Sequence, residues 1–422
     1  MYRIRRILNL KSQILLIAFI LPILSIHVNS SSRNRPATSS ARGRAFSSRR
    51  GFVVSCQCSD NSPLLRSRRA SMTIRNILIC TTQVPFTAGG AESHVAGLLD
   101  AFVEAGYNAE VVALPFKWYP PSEIMRGALA WRLLDLTEAN GKAVDLVVGM
   151  KFPAYTVAHP RKVLWIMHQY RAAYNLWGTP FDDLSTHPEG ARMRDWIRHC
   201  DARFIPEARK VFANSRTVAE RLRLYNGIES EPLYHPPPRA ASLRAGEQGD
   251  YVFYPSRLEA QKRQELLIEA LKYVRTPVRA VLAGSTRERG RYESLVKRHG
   301  VGGRVRVRGF VSEGELIKLY SGALGVCYLP FDEDYGYVTL EGMLSSKPVV
   351  VARDGGGATE FVEHGSEGLV ADPDPRALAE ALDSLYSDRK RARRMGERGR
   401  EKLLALNLSW RNVVEKIISA AG

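Results

Sequence analysis

Tyr328-Leu-Pro-Phe-Asp-Glu-Asp-Tyr-Gly-Tyr-Val-Thr-Leu-Glu-Gly-Met343 changes character twice within sixteen residues. The apolar run Gly325–Leu329 that leads into it reads as a buried strand. Pro330 and the acids Asp332, Glu333 and Asp334 mark a loop, and Tyr337–Ser345 has helical periodicity. A strand that passes through a polar loop directly into a helix is the unit of a parallel α/β sheet, whose ligands bind beyond the carboxyl ends of the strands. Glu333 then sits on the loop, the helix begins near Gly336 or Tyr337, and Glu341 lies about one turn inside it. The unpaired amides of Gly336, Tyr337, Val338 and Thr339 would face the crevice and suit a phosphate. The plainer alternative is a solvated loop with exposed acids.

The same alternation extends in both directions. Asn76–Thr81, Ala109–Leu114, Asp145–Gly149, Lys162–Met167 and Lys210–Ala213 read as buried strands, with helical stretches such as Ala91–Ala105 and Thr217–Tyr225 between them. It stops at the Pro/Gly-rich segment from Pro232 to Gly249, a linker signal. Beyond that segment it resumes with strands at Tyr251–Tyr254, Arg279–Ala283, Val305–Arg308, Gly325–Leu329 and Pro348–Ala352. Helices are expected over Gln264–Val274, Tyr292–His299 and Ser312–Ser321. Ser312-Glu-Gly-Glu315 reads as a capping box, and Asp374-Pro375 as an N-cap followed by proline. The chain is therefore α/β, with two doubly wound parallel-sheet domains facing a cleft. The expected boundaries are a first domain at 74–235, a linker at 236–250, a second domain at 251–407 and a closing helix at 408–422.

Three further places carry chemistry. In Gln83-Val-Pro-Phe-Thr-Ala-Gly-Gly-Ala-Glu92, Gly89 and Gly90 lie between the first strand and the first helix. They permit close backbone approach to an anion at a helix start, or alternatively serve a tight turn needing positive φ. Arg257 and Lys262 follow another strand in Tyr254-Pro-Ser-Arg-Leu-Glu-Ala-Gln-Lys262. A guanidinium grips two phosphate oxygens at once and an ammonium supplies a point charge, so the pair suits a diphosphate; a solvated pair ahead of a helix is the alternative. His168 ends the apolar run Lys162–Met167, where a polar side chain faces either the cleft or the core.

Taken together, residues 74–422 resemble glycosyltransferase family 4, retaining enzymes of the GT-B fold. The resemblance rests on Gly89-Gly90-Ala-Glu92, Arg257 with Lys262, and Glu333 with Glu341. Ala213-Asn-Ser215, Gly309-Phe-Val-Ser312, Asp354-Gly-Gly-Gly-Ala-Thr-Glu360 and the closing Leu408-Ser-Trp-Arg-Asn-Val-Val-Glu-Lys416 match it too. It implies that Arg257 and Lys262 hold the diphosphate of a nucleotide-sugar donor, that Glu341 binds the ribose, and that Glu333 holds the transferred sugar. The amides of Gly336–Thr339 would support phosphates, with Gly89 and Gly90 close by. His168 matches the family's active-site histidine beside the donor sugar, and Phe310 and Val311 match the loop at the nucleobase. Arg263, Gly342 and Ser346 depart from the family, standing where Gly, Ala and Gly are common.

The chemistry this implies is transfer to an acceptor hydroxyl with retention of configuration, using no cofactor and no metal. Asp332-Glu-Asp334 resembles the metal-binding Asp-x-Asp of the other major glycosyltransferase fold. That fold has one nucleotide-binding domain, and the reading is rejected on that ground. Two rivals remain: a sugar-nucleotide epimerase of related architecture and a catalytically silent donor-binding subunit. A dehydrogenase is disfavoured because no Gly-x-Gly-x-x-Gly follows the first strand.

Composition narrows the partners. Of 61 Lys+Arg and 43 Asp+Glu in 422 residues, thirteen basic residues and one acid, Asp60, fall in residues 1–71, leaving a mildly basic body at +6. A nucleic-acid partner inferred from the overall +18 would rest on that extension, so none is expected. The Arg- and Ser-rich extension, with its apolar run Ile14–Ile26, reads as a signal anchor, as a transit segment or, the reading preferred here, as a stretch outside the functional protein. The body is then cytoplasmic, with peripheral membrane contact left open. Five scattered Cys exclude a disulfide framework. The acceptor, a glycan, a lipid-linked sugar or a small molecule, is expected at Phe116–Arg126 and Gln169–Pro188. Their aromatic residues either stack on sugar rings or pack between domains.

Overall fold

Asn76-Ile-Leu-Ile-Cys-Thr-Thr-Gln83 is apolar toward both faces, as a strand covered by helices on two sides must be, and it forms strand β1. The computed structural model describes residues 74–87, 89–285 and 289–422, so the extension discussed for 1–71 lies outside the described residues. β1 lies between β2 (Asn108–Pro115) and β3 (Leu146–Gly149), and pairs with both in parallel. β4 (Lys162–Ile166), β5 (Lys210–Ala213) and the short β6 (Glu231–Pro232) extend the sheet in the order β2-β1-β3-β4-β5-β6. The crossovers carry helices α1 (Gly90–Glu104), α2 (Ser122–Leu133), α3 (Gly190–Phe204) and α4 (Arg216–Asn226).

A second parallel sheet contains β7 (Tyr251–Pro255), β8 (Arg279–Ala283), β9 (Val305–Gly309), β10 (Gly325–Tyr328), β11 (Val349–Ala352) and β12 (Gly368–Ala371), ordered β9-β8-β7-β10-β11-β12. Its helices are α5 (Gln264–Ala270), α6 (Arg289–Arg298), α7 (Glu313–Ser321), α8 (Tyr337–Leu344), α9 (Pro375–Ser387) and α10 (Arg389–Ala405). The strand order reverses between β1 and β3 in one sheet and between β7 and β10 in the other. Such reversals open a crevice at the carboxyl edge, so the loops after β1, β7 and β10 line the site.

Each half has its own core, and the last helix, α11 (Trp410–Ala421), joins the first one. Val413, Val414, Ile417 and Ala421 are buried with Ile77, Ile79 and Leu98. Gly97 of α1 receives the Trp410 indole so closely that a β-carbon there would lie 2.2 Å from Cζ2.

Two local expectations need correction. Ser312 Oγ accepts from the Glu315 amide at 3.3 Å, but the Glu315 carboxylate pairs with Arg308, so the capping box is only half made. The Pro/Gly-rich segment is no free spacer. Leu243 is buried in the second core, Lys347 Nζ donates to Gly246 O at 3.0 Å, and the Gly249 amide donates to Gly322 O at 2.9 Å. A β-carbon on Gly246 would lie 2.1 Å from Ser321 Oγ, so this glycine serves close approach and not slack.

Candidate functional site

The loop after β1 brings Gly89 and Gly90 to the seam between the halves. Gly89 is extended (φ −167°), and neither glycine has positive φ, which removes the tight-turn explanation. Space explains Gly90 instead, whereas a side chain on Gly89 would meet only ordinary contacts. A β-carbon on Gly90 would meet the Tyr337 ring at 3.3 Å, and one on Gly89 would lie 3.9 Å from Arg257 Cζ. Tyr337 is held in turn by its hydroxyl, 2.6 Å from Nε2 of the buried His235.

After β7, Arg257 remains half-exposed and pairs with Glu259 at 3.1 Å. Lys262, five residues on, is nearly enclosed and forms an ion pair with Glu333; its Nζ also lies 3.3 Å from the Tyr328 hydroxyl. Tyr328 donates to Glu333 Oε2 at 2.8 Å. Burial alone would raise the Glu333 pKa, but Lys262 outweighs it and holds the carboxyl below the usual range.

After β10, Gly336 has φ +85° and forms the N-cap of α8. A β-carbon there would lie 2.9 Å from Ala358 Cα, so geometry and space both demand glycine. The amides of Gly336, Tyr337 and Val338 have no acceptor among the described residues. The Thr339 amide donates to Gly336 O at 3.0 Å and its hydroxyl to Ala358 O at 2.8 Å. Thr339 is therefore buried and satisfied, and the open first turn ends at Val338, one residue short of the expectation.

Glu341 accepts from Arg239 Nη1 at 2.9 Å and from the Tyr320 hydroxyl at 2.6 Å. Its burial raises its pKa, with both donors opposing. Each carboxylate oxygen keeps acceptor capacity for one more hydroxyl. Phe310 is 83% exposed just after β9, while Val311 packs partly on the second core. His168 follows β4, and its Nδ1 lies 2.7 Å from Gln169 O. That bond places the ring proton on Nδ1 and leaves Nε2 as the acceptor. Burial lowers the His168 pKa against the opposing charge of Asp334, so the ring is neutral at pH 7.

A cavity of about 560 Å³ lies between α1 and α11, lined by Tyr107, Trp410, Val414 and Ile418 among others. Its lining includes none of the candidate residues, which lie at the seam. There Arg257 borders Gly89, Tyr337 borders Gly90, and Lys262 meets Glu333.

The profile of the family described as glycosyl transferases group 1 matches residues 239–402. A D-inositol 3-phosphate glycosyltransferase of Corynebacterium urealyticum is 30% identical over 355 residues, covering 75% of this chain and 81% of that protein. The chain belongs to the glycosyl transferases group 1 family. A second D-inositol 3-phosphate glycosyltransferase, from Corynebacterium glutamicum, is also 30% identical, over 71% of this chain and 78% of its own length. Among solved structures, sucrose-phosphate synthase from Thermosynechococcus elongatus superposes with a TM-score of 0.62 at 20% identity, over 82% of this chain and 96% of that one. Anabaena HepE, solved in complex with UDP and glucose, gives 0.61 at 18%, over 82% of this chain and all of that one. At such identities the likeness is one of fold, and the fold is GT-B.

Several members of this glycosyltransferase's seam carry no sequence motif. Arg171 and Asn175 lie in the segment read for its aromatics, and Arg221 lies on α4; all three reach the loop around Glu333. Lys151 sits behind His168, 3.6 Å from Glu92. Glu360 accepts from the Arg216 and Thr217 amides at 3.1 and 2.5 Å and so caps α4 from the opposite half. Asp332 and Asp334 are engaged by arginines. Among the described residues no group of three or more His, Cys, Asp or Glu is placed to hold a metal ion, and no helix is long and apolar enough to cross a membrane.

Proposed function

We propose that this chain is a retaining family 4 glycosyltransferase that moves a sugar from a nucleotide-diphosphate sugar to an acceptor hydroxyl without a metal. One observation carries the reading: a guanidinium, an ammonium and three open amides at the start of α8 converge on one seam between two doubly wound halves. Such a set matches a diphosphate, whose charge grows as its bond to the sugar breaks. Arg257, Lys262 and the amides of Gly336–Val338 then stabilise the transition state more than the bound donor, which is what raises turnover. Glu333 holds the transferred sugar, Glu341 the ribose, and neutral His168 faces the reacting sugar. The acceptor hydroxyl attacks from the side the diphosphate leaves and passes its proton to a departing phosphate oxygen. Closure of the halves excludes water.

The test begins with UDP-, GDP- and ADP-sugars, scored by thermal shift of the full chain. The stabilising donor is then incubated with acceptors, starting with the D-inositol 3-phosphate named in the relatives, and the product's anomeric configuration is read by NMR. An α-linked product from an α-donor, formed fully in EDTA, supports the reading. An inverted product or a strict Mn²⁺ requirement contradicts it, and a donor altered with no acceptor present points to the epimerase.

A further inference from the structure

Three acids in a row, Asp332-Glu333-Asp334, point in alternate directions. Glu333 turns toward Lys262 and Tyr328 in its own half. Its two neighbours turn the other way and meet the first half. Arg221 Nη1 donates to Asp334 Oδ1 at 2.5 Å, and its Nη2 donates to Asp332 Oδ1 at 2.5 Å, to Asp332 O at 2.8 Å and to Glu333 O at 3.3 Å. Arg171 Nη2 donates to Asp332 O at 2.5 Å, and its Nε lies 3.6 Å from Asp334 Oδ1. Asn175 Nδ2 donates to Asp332 Oδ2 at 2.7 Å. From the opposite side, Asp332 and Glu333 amides donate to Asp354 O and Gly355 O at 2.8 and 3.0 Å.

The tripeptide is thus gripped by two domains at once, and Asp332 adopts φ +46° under that grip. Arg221 is 8% exposed, and its planar fork spans both carboxylates and the carbonyls between them. No other side chain type matches that arrangement: an ammonium on a flexible stem bonds one carboxylate well and leaves the other. Both terminal nitrogens of the fork are engaged by Asp332, Glu333 and Asp334.

We infer that Arg221 and Arg171 are positioning residues: by clamping Asp332 and Asp334 they place the Glu333 carboxylate for the transferred sugar, and only while the two halves are together. This rests on the transferase reading, since Glu333 is assigned there. Donor capture and correct sugar placement are thereby separated. The diphosphate is held by Arg257, Lys262 and the α8 amides, whether or not the clamp is shut. The sugar carboxylate is set only when α4 of the first half docks on the loop.

The experiment compares the wild-type full chain with Arg221→Met, Arg221→Lys and the neutralised triple variant Arg221→Met/Asp332→Asn/Asp334→Asn. Melting temperature, nucleoside-diphosphate affinity, kcat and the fraction of donor lost to water are measured for each. Arg221→Met leaves two part-buried carboxylates with only Arg171 and Asn175 beside them and is expected to lower the melting temperature; the triple variant removes those charges and is expected to recover it. If the clamp positions Glu333, kcat stays at least tenfold down in both. Diphosphate affinity changes less than threefold, and the hydrolysed fraction rises. Arg221→Lys regains stability further than it regains kcat. If kcat returns with the melting temperature in the triple variant, Arg221 is merely structural and the inference is overturned. The wild-type chain in the same assay answers for the transferase reading, so a triple variant at wild-type turnover counts against the clamp alone.

Discussion

Gly90 of the first half lies against the ring of Tyr337 in the second, so near that a β-carbon would meet Cδ2 and Cε2 at 3.3 Å. The backbone at Gly90 is not left-handed, so a side chain is opposed there by space alone. Gly90→Ala requires the ring to give by a few tenths of an ångström and should shift stability by under about 1 kcal/mol. Gly90→Leu cannot be accommodated without separating the two loops. It should cut kcat/KM by about 10²-fold, the scale of an ångström-sized misplacement, while each half keeps its own core. Steady-state kinetics beside a melting curve decide this: a Leu variant at wild-type turnover would show that the loops need not approach.

Arg257 and Lys262 should separate stability from turnover. Arg257 is half-exposed and, among the described residues, pairs with the equally exposed Glu259, so Arg257→Ala should change stability by less than about 0.5 kcal/mol. Its turnover should nevertheless fall about 10²–10³-fold, the loss seen when one preorganised donor is removed. Lys262→Ala strands the enclosed Glu333 and should cost about 3 kcal/mol as well as turnover. The pH sign follows from the lowered Glu333 pKa. Its contribution is full above the ordinary carboxylate range and is lost as pH falls through the folded value. Denaturant melts at pH 7 and pH 3.5 should therefore differ by less in Lys262→Ala than in the wild type.

These contrasts reflect what a linear sequence displays. The strands were legible because β1, β4 and β10 are near-continuous apolar runs that end in punctuating residues, which is how two-sided burial reads. α10 is not, because Ala392, Gly396 and Gly399 interrupt its buried face with small residues that let the helix approach the Ser346 carbonyl, leaving only Met395 and Leu403 as large apolar positions. Arg257, Lys262 and Glu333 stand at loop positions with recognisable spacing. Arg221 has its partners 111 and 113 residues away, and no periodicity links an arginine in mid-helix to a loop of the opposite domain. Thr339 differs from expectation for a related reason: helix position says which amides lack an intrahelical partner, but not that a 3₁₀-type bond to Gly336 claims one of them.

The same substitution should have opposite effects at two sites of left-handed backbone. Arg263 (φ +51°) and Ser346 (φ +52°) both hold the left-handed conformation that glycine takes at little cost. Ser346→Gly should stabilise by about 0.5–1 kcal/mol, since the strain is relieved and the amide bond to Met343 O is kept. Arg263→Gly relieves the same strain but removes two bonds to Asp354 at 2.8 and 2.6 Å and bonds to Leu329 O and Pro330 O. It should destabilise by about 1–2 kcal/mol net. Urea titration of both variants checks this, and a shared sign would mean that backbone strain is not what separates them.

Asp201 offers a test of buried charge in the first half. It has no exposed surface, and its oxygens accept from the Tyr155 and Tyr174 hydroxyls at 2.8 Å each. Burial raises its pKa to about 7 against those two hydrogen bonds. A carboxyl whose folded pKa is raised contributes most below its unfolded value, and that contribution drains away as pH climbs toward 7. A shift of roughly 3 units corresponds to at most about 4 kcal/mol across pH 4–7. Buried His94 and His235 and part-buried His168, whose pKa values are lowered, act with the opposite sign over part of the same window, so the wild-type curve alone would conceal the effect. The informative quantity is the unfolding free energy of Asp201→Asn minus that of the wild type, which cancels the histidines. That difference should rise steadily from pH 4.5 to 7.5 and then level off. A flat difference would mean that the carboxylate is ionised throughout and that the two tyrosines offset its burial completely.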